Sequence, residues 1–226
     1  MDLAHDAAVW NNDLGISKNL SVIHNARRTV IEMLKYRKFT VVENEWDADL
    51  ASFSTVFNSA PEMHTMTMRA HKGRALLLVF FPQETKLNVP SLRTMVEYAQ
   101  SAESSHFIIV YRDKITTFAK NYISNYRAEN SVHVECFHVM SLQKNILNHA
   151  LVPRHRLLNS SEERELFKRM KTKKENFPTI LVGGVNADPV AKYLGIRVGQ
   201  VVEITRNHPN GFQYLFYRVG RRAITR

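Results

Sequence analysis

At 226 residues, with 44% hydrophobic and 23% charged side chains, the chain has the composition of a folded protein of one large domain or two modest ones. Its longest apolar run, Ala75 to Phe81, is far too short to span a bilayer, and its single cysteine, Cys136, excludes an intrachain disulfide. The net charge of +10 sits entirely in residues 141–226, which hold 16 Lys and Arg against 6 Asp and Glu, whereas residues 1–140 carry 15 of each sign.

Residues 1–19 are polar and aperiodic and are expected to form a flexible leader. Asp2, His5 and Asp6 lack the basic-then-apolar order of a secretory signal, and one cysteine fits a reducing compartment, so cytosol or nucleus is expected. From Leu20 to Lys38, Ile23, Ala26, Val30 and Leu34 recur at helical spacing, with Arg27, Arg28, Lys35 and Arg37 on other faces. Phe39 to Val42 reads as a short strand, and Met63 to Arg69 alternates weakly. Ala75 to Phe81, bounded by Gly73 and Pro82, suits a strand buried on both faces. Helical spacing returns over Ser91 to Ser101 through Leu92, Met95, Val96 and Ala99. A strand at Phe107 to Tyr111, a helix at Thr117 to Asn125 and a strand at Val132 to Val139 follow. Strands alternating with helices predict an α/β domain, over 20–146, whose sheet is at least partly parallel.

Beyond it, residues 147–226 predict a small α+β domain. Ser160, three residues before Glu163, reads as a capping box for a helix from about Glu162 to Lys171. Lys168, Arg169, Lys171, Lys173 and Lys174 crowd its C-terminal end, where cations suit the macrodipole. Asp188-Pro189 starts a second helix and Gly195 stops it. Gln200 to Arg206 alternates as a strand, Asn210-Gly211 marks a turn, and Phe212 to Val219 alternates again as its partner.

No arrangement of residues predicts an active site. The chain has no glycine-rich phosphate loop, Gly183-Gly184 being an isolated pair, and no serine elbow. His133, Cys136 and His138 resemble metal ligands, but on a strand the first points away from the other two, so neither metal nor cofactor is expected. His149 and His155, in an expected loop around Leu151-Val152-Pro153, are too few for structural zinc. Glu43, Glu45, Asp47 and Asp49 surround Trp46 without the lysine that nuclease chemistry needs, and predict a solvated acidic loop. The basic excess of the last third admits a polyanion, an acidic protein partner, or simply a soluble basic domain.

The order Leu151-Val152-Pro153, Glu165-Leu166-Phe167-Lys168-Arg169, Phe177-Pro178, Asp188-Pro189-Val190-Ala191-Lys192-Tyr193-Leu194-Gly195, Gly199 to Arg206 and Tyr217-Arg218 resembles a known domain. It is the C-terminal domain of the fifth subunit of eukaryotic nuclear DNA-directed RNA polymerases, similar to its short archaeal counterpart. Arg28-Thr29-Val30, Glu32-Met33, Phe80-Phe81-Pro82 and Ile108 to Ala119 resemble the N-terminal half in order, which points to the two-domain eukaryotic form.

The resemblance implies a nuclear, non-catalytic subunit: an α/β jaw domain beside downstream DNA and an α+β assembly domain docked on the largest subunit. Arg112, Lys114, Thr116, Thr117 and Lys120 would lie on the DNA-facing loop, touching phosphates rather than bases. Leu151, Val152, Pro153, His155, Asp188, Pro189, Val190, Tyr193, Leu194, Gly195, Arg206, Tyr217 and Arg218 would serve assembly, with acidic protein surfaces meeting the excess positive charge.

The chain departs from the family pattern at several points. Thr116-Thr117-Phe118-Ala119 stands for the usual Thr-Pro-Ser-Ala, and Lys38 replaces a glycine. Gly183-Gly184-Val185-Asn186 lengthens a loop, Gly211-Phe212-Gln213 lacks a Gly-Arg step, and Arg221, Arg222 and Arg226 extend the end. These mark a divergent member. The other reading is a free-standing basic nucleic-acid-binding adaptor.

Overall fold

A computed structural model of the chain describes residues 13–59, 63–183, 187–208 and 210–222. The first twelve residues of the expected leader, Gly184-Val185-Asn186 and Arg226 lie outside them. The chain divides between Lys144 and Asn145 into two compact units.

The first unit runs α1 (Asp13–Tyr36), β1 (Thr40–Val42), α2 (Leu50–Asn58), α3 (Met63–Met66), β2 (Met68–Lys72), β3 (Ala75–Phe80), β4 (Lys86–Leu87), α4 (Val89–Ser101), β5 (His106–Tyr111), β6 (Lys114–Ile115), α5 (Thr117–Asn130) and β7 (His133–His138). Five strands form a mixed sheet in the order β1-β2-β3-β5-β7, antiparallel at β1/β2/β3 and parallel at β3/β5/β7. One face holds Leu78, Phe80, Phe107, Ile109 and Val134 against Leu92, Met95 and Ala99 of α4 and Ala119 and Ile123 of α5. Leu77, Val79, Ile108 and Val110, which alternate with these, are buried too, as a strand covered on both sides requires. α1 contributes buried Ile23, Ala26, Val30 and Leu34.

Several expectations need correction here. α1 begins at Asp13, so residues 13–19, expected in the leader, are helical. Met63–Met66 is a helical turn, with strand only from Met68. The acidic segment is not a solvated loop throughout. Glu45–Asp47 forms a 3-10 turn that buries Asp47 against Arg27, and Asp49 caps α2 through the Ser52 amide. Arg27, expected on a polar face of α1, is fully buried. Its guanidinium lies 4.5 Å from the Trp46 ring centre and 4.8 Å from that of Phe81, and donates to the Met66 carbonyl. A pairwise pattern of apolar residues cannot reveal a charge that is neutralised by a partner distant in sequence.

The second unit runs β8 (Arg154–Leu157), α6 (Ser160–Met170), β9 (Thr179–Val182), α7 (Pro189–Leu194), β10 (Val201–Asn207) and β11 (Gln213–Arg222). Its sheet has the order β8-β10-β11-β9, with β9 parallel to β11 and the other pairs antiparallel. Leu158, Leu166, Phe177, Val201 and Val219 form a core between α6 and one sheet face. The capping box is displaced by one residue from its expected place. Asn159 caps Ser161 and Glu162, and Glu162 returns a bond to the Asn159 amide, because Asn159 is an equally good cap one step earlier. His155 is the buried residue of an otherwise exposed strand, not in a loop.

Candidate interface surfaces

In the first unit, β4 and β6 pair in parallel, placing Lys86 opposite Lys114 and Leu87 opposite Ile115. Each strand runs directly into a capped helix. Asn88 accepts from the Ser91 amide at the start of α4, and Thr116 Oγ1 accepts from the Ala119 amide at the start of α5. The Thr116 amide donates to the Leu87 carbonyl, so the two helix starts lie side by side.

Of the residues expected on a DNA-facing loop, Lys114, Thr117 and Lys120 are exposed on this edge. Thr116 is committed to capping. Arg112 is half-buried, its guanidinium 5.7 Å from the Phe57 ring centre, and burial lowers its pKa more than nearby Glu84 raises it. Phe118, at the position of a serine in the family pattern, is 79% exposed beside Thr117. Sequence reasoning missed Lys86. The parallel between Lys86-Leu87-Asn88 and Lys114-Ile115-Thr116, each a lysine just ahead of a helix cap, was the available signal.

In the second unit, the residues expected in assembly fall into two groups. Val190, Tyr193 and Leu194 are buried, and Asp188, Pro189 and Gly195 shape the helix that carries them. Asp188 accepts from the Val190 and Ala191 amides, and Gly195 sits at φ 66°. While Pro189 at the start of the helix is exposed, Val190, Tyr193 and Leu194 thus build the unit. His155 belongs with them: its Nδ1 donates to the Pro153 carbonyl, and burial lowers its pKa more than the Pro153 contact and Asp188 raise it.

The other group reaches solvent. Leu151 is 86% exposed, and Val152 and Pro153 are half-buried. On one face of the β10/β11 hairpin, the guanidinium groups of Arg206 and Arg218 lie 5.3 and 5.5 Å from the Phe216 ring centre. The Nε of each is buried without a hydrogen-bond acceptor among the described residues, while Arg218 Nη1 donates to the Thr179 carbonyl. Phe212, Tyr214 and Leu215 are exposed toward the hairpin end. Tyr217 is on the opposite face, donating to Glu203 and accepting from Arg169. Two half-buried arginines around one ring form a surface suited to a carboxylate or phosphate.

The basic cluster after α6 is only partly solvated. Lys171 takes the left-handed conformation that ends the helix, and Lys174 pairs with Glu163 at 2.9 Å. Of the three residues resembling metal ligands, Cys136 packs against the α4/α5 core face, and His133 lies on the other face, near His106 and Glu135. Among the described residues, no helix is long and apolar enough to cross a membrane.

Comparison with known proteins gives two family matches in chain order. The RNA polymerase Rpb5 N-terminal domain matches residues 17–99, and the RNA polymerase Rpb5 C-terminal domain matches residues 144–219. The chain is 31% identical over 193 residues to the DNA-directed RNA polymerases I, II, and III subunit rpabc1 of Dictyostelium discoideum, covering 85% of this chain and 94% of that one. It is 30% identical over 201 residues to the DNA-directed RNA polymerases I, II, and III subunit RPABC1 of Caenorhabditis briggsae, covering 85% of this chain and 92% of that one.

Proposed function

The chain belongs to the Rpb5 family of DNA-directed RNA polymerase subunits, as a non-catalytic member, and we propose that it docks on the largest polymerase subunit through its C-terminal unit while its N-terminal unit forms part of a jaw near downstream DNA. The observation that carries this reading is the match of both domains in order, with relatives covered over more than nine-tenths of their length. The Arg206–Phe216–Arg218 face and exposed Leu151 supply the docking surface, offering charge and apolar area to a partner with acidic and apolar groups. The edge with Lys86, Lys114, Thr117 and Lys120 supplies the DNA-facing surface, whose lysines would neutralise phosphates without reading sequence. The same relatives, named as subunits of polymerases I, II and III, support nuclear residence and service to all three.

The test is purification of the tagged chain from native extract. Stoichiometric recovery with the polymerase large subunits is expected, and the set of large subunits recovered identifies the polymerases served. Recovery as a free monomer would overturn the reading. The surplus of positive charge in residues 141–226 favours one other reading, a free-standing basic adaptor. It requires salt-sensitive DNA or RNA binding by the isolated chain, and negligible binding at low salt removes it.

A further inference from the structure

We propose that His106, His133 and Glu135 form a binding site for a single divalent ion of the zinc class on the sheet face opposite α4 and α5. The site does not depend on the polymerase role. His106 and His133 are register partners on the parallel strands β5 and β7, and Glu135, two residues beyond His133, projects from the same face. The pattern was hidden in the sequence because His106 comes from a different strand.

The two separations from Glu135 suit a tetrahedral site. The three ligand atoms all lie within 4.8 Å of one another. Glu135 Oε1 is 2.9 Å from His106 Nε2 and 3.5 Å from His133 Nε2. With zinc bonds of about 2.0–2.1 Å, ligand atoms in a tetrahedron lie about 3.3 Å apart, so these two separations bracket the required edge. The two imidazole rings meet edge to face with centres 4.6 Å apart.

Zinc needs neutral imidazoles and an ionised carboxylate. Burial lowers the His106 pKa, and although burial alone would raise that of Glu135, Arg37 and the hydrogen bonds to it hold it well below the usual carboxylate range. The ion takes the place of the proton between His106 Nε2 and Glu135 Oε1, and the neutral imidazole then carries its one proton on Nδ1. Arg37 donates to both carboxylate oxygens, at 2.8 and 2.9 Å. Each carboxylate oxygen has two lone pairs, so Oε1 keeps one for the ion while Arg37 fixes the carboxylate orientation. The guanidinium charge opposes a hard cation held by oxygen alone and favours one bound chiefly by imidazole. His133 is 38% exposed, which gives an entry path and room for a water as fourth ligand.

The test uses the full chain without a histidine tag, stripped with chelator and titrated with zinc against a chromophoric competitor, and separately with cobalt to read ligand-field absorption. One ion per chain is expected. His133→Asn should weaken binding by more than about tenfold, since losing even a hydrogen-bonded partner of a ligand has an effect of that size. The metal-free melting temperature of this variant should be unchanged, because His133 is the most exposed of the three. His106→Gln should also lose binding while retaining the Arg37–Glu135 pair. His138→Asn, on the other sheet face, should bind as the parent does. No one-to-one binding, or equal weakening by His133→Asn and His138→Asn, would overturn the proposal.

Discussion

Arg27 Nε donates to Asp47 Oδ1 at 2.6 Å and Arg27 Nη2 donates to Oδ2 at 3.0 Å, a bidentate pair in which neither side chain reaches solvent. The pair ties α1 to the 3-10 turn before α2, and His24 adds a contact from its Nε2 to the Asp47 carbonyl at 3.0 Å. Removing one partner leaves the other buried and charged. Arg27→Met should therefore destabilise the first unit by about 3–5 kcal/mol. Arg27→Met combined with Asp47→Leu should recover much of that loss, as read by denaturant melts of both variants.

Acid should weaken the same unit in two stages. The His106 pKa is depressed below 6.5, chiefly by burial, so its contribution is present above that pH and is lost as pH falls below it. Burial alone would raise the Glu135 pKa, but Arg37 and the bonds from His106, His133 and Arg37 outweigh it and hold it well below 4.5. The Glu135 contribution is therefore present above 4.5 and is lost as pH falls through its folded value. Melting temperature against pH should show both declines. His106→Gln should remove the first, and Glu135→Gln the second.

Gly220 is required by space. A Cβ there would lie 2.4 Å from the Arg197 carbonyl oxygen, and the Gly220 carbonyl accepts from the Gly199 amide. Gly220→Ala should cost about 1–3 kcal/mol through displaced backbone. An unchanged denaturation midpoint would show that the Arg197 turn yields freely.

Lys38 carries the opposite lesson. It sits at φ 67° after α1, where the Phe39 amide donates to the Leu34 carbonyl and the helix ends. A left-handed conformation costs a side-chain-bearing residue about 1–2 kcal/mol, so Lys38→Gly should raise stability, by roughly 0.5–1 kcal/mol after the greater freedom of glycine in the unfolded chain is included.

On the exposed edge, the proposed jaw role requires that Lys86→Glu with Lys114→Glu leave incorporation into polymerase unchanged and weaken binding of the assembled polymerase to downstream DNA. The slope of log affinity against log salt should fall by roughly 0.9 for each phosphate contact removed. Reversing Lys171, Lys173 and Lys174 together tests the other basic cluster. Since Lys174 pairs with Glu163, which also accepts from the Val201 amide, reduced incorporation is expected along with some loss of stability.

Much of this architecture was legible from local patterns. Leu92, Met95, Val96 and Ala99 are the buried stripe of α4, the Ala75 run is a central strand, and Asp188-Pro189 and Gly195 bound α7. Local patterns are what such features require. The Arg27–Asp47 pair, the parallel pairing of β9 with β11 and the meeting of His106 with Glu135 join residues far apart in sequence, which periodicity cannot express. For the surfaces, the motif does not distinguish residues that build a unit, such as Tyr193, from residues that face outward, such as Lys114 and Lys120.

The register that sets Lys86 opposite Lys114 also levels the first turns of α4 and α5. Each start carries about half a positive charge from aligned peptide dipoles. That charge resides in the main chain, so no side-chain substitution or protonation change removes it. The edge thus keeps a baseline positive field even when its lysines are neutralised, and its side chains adjust the strength of a field that the fold itself supplies.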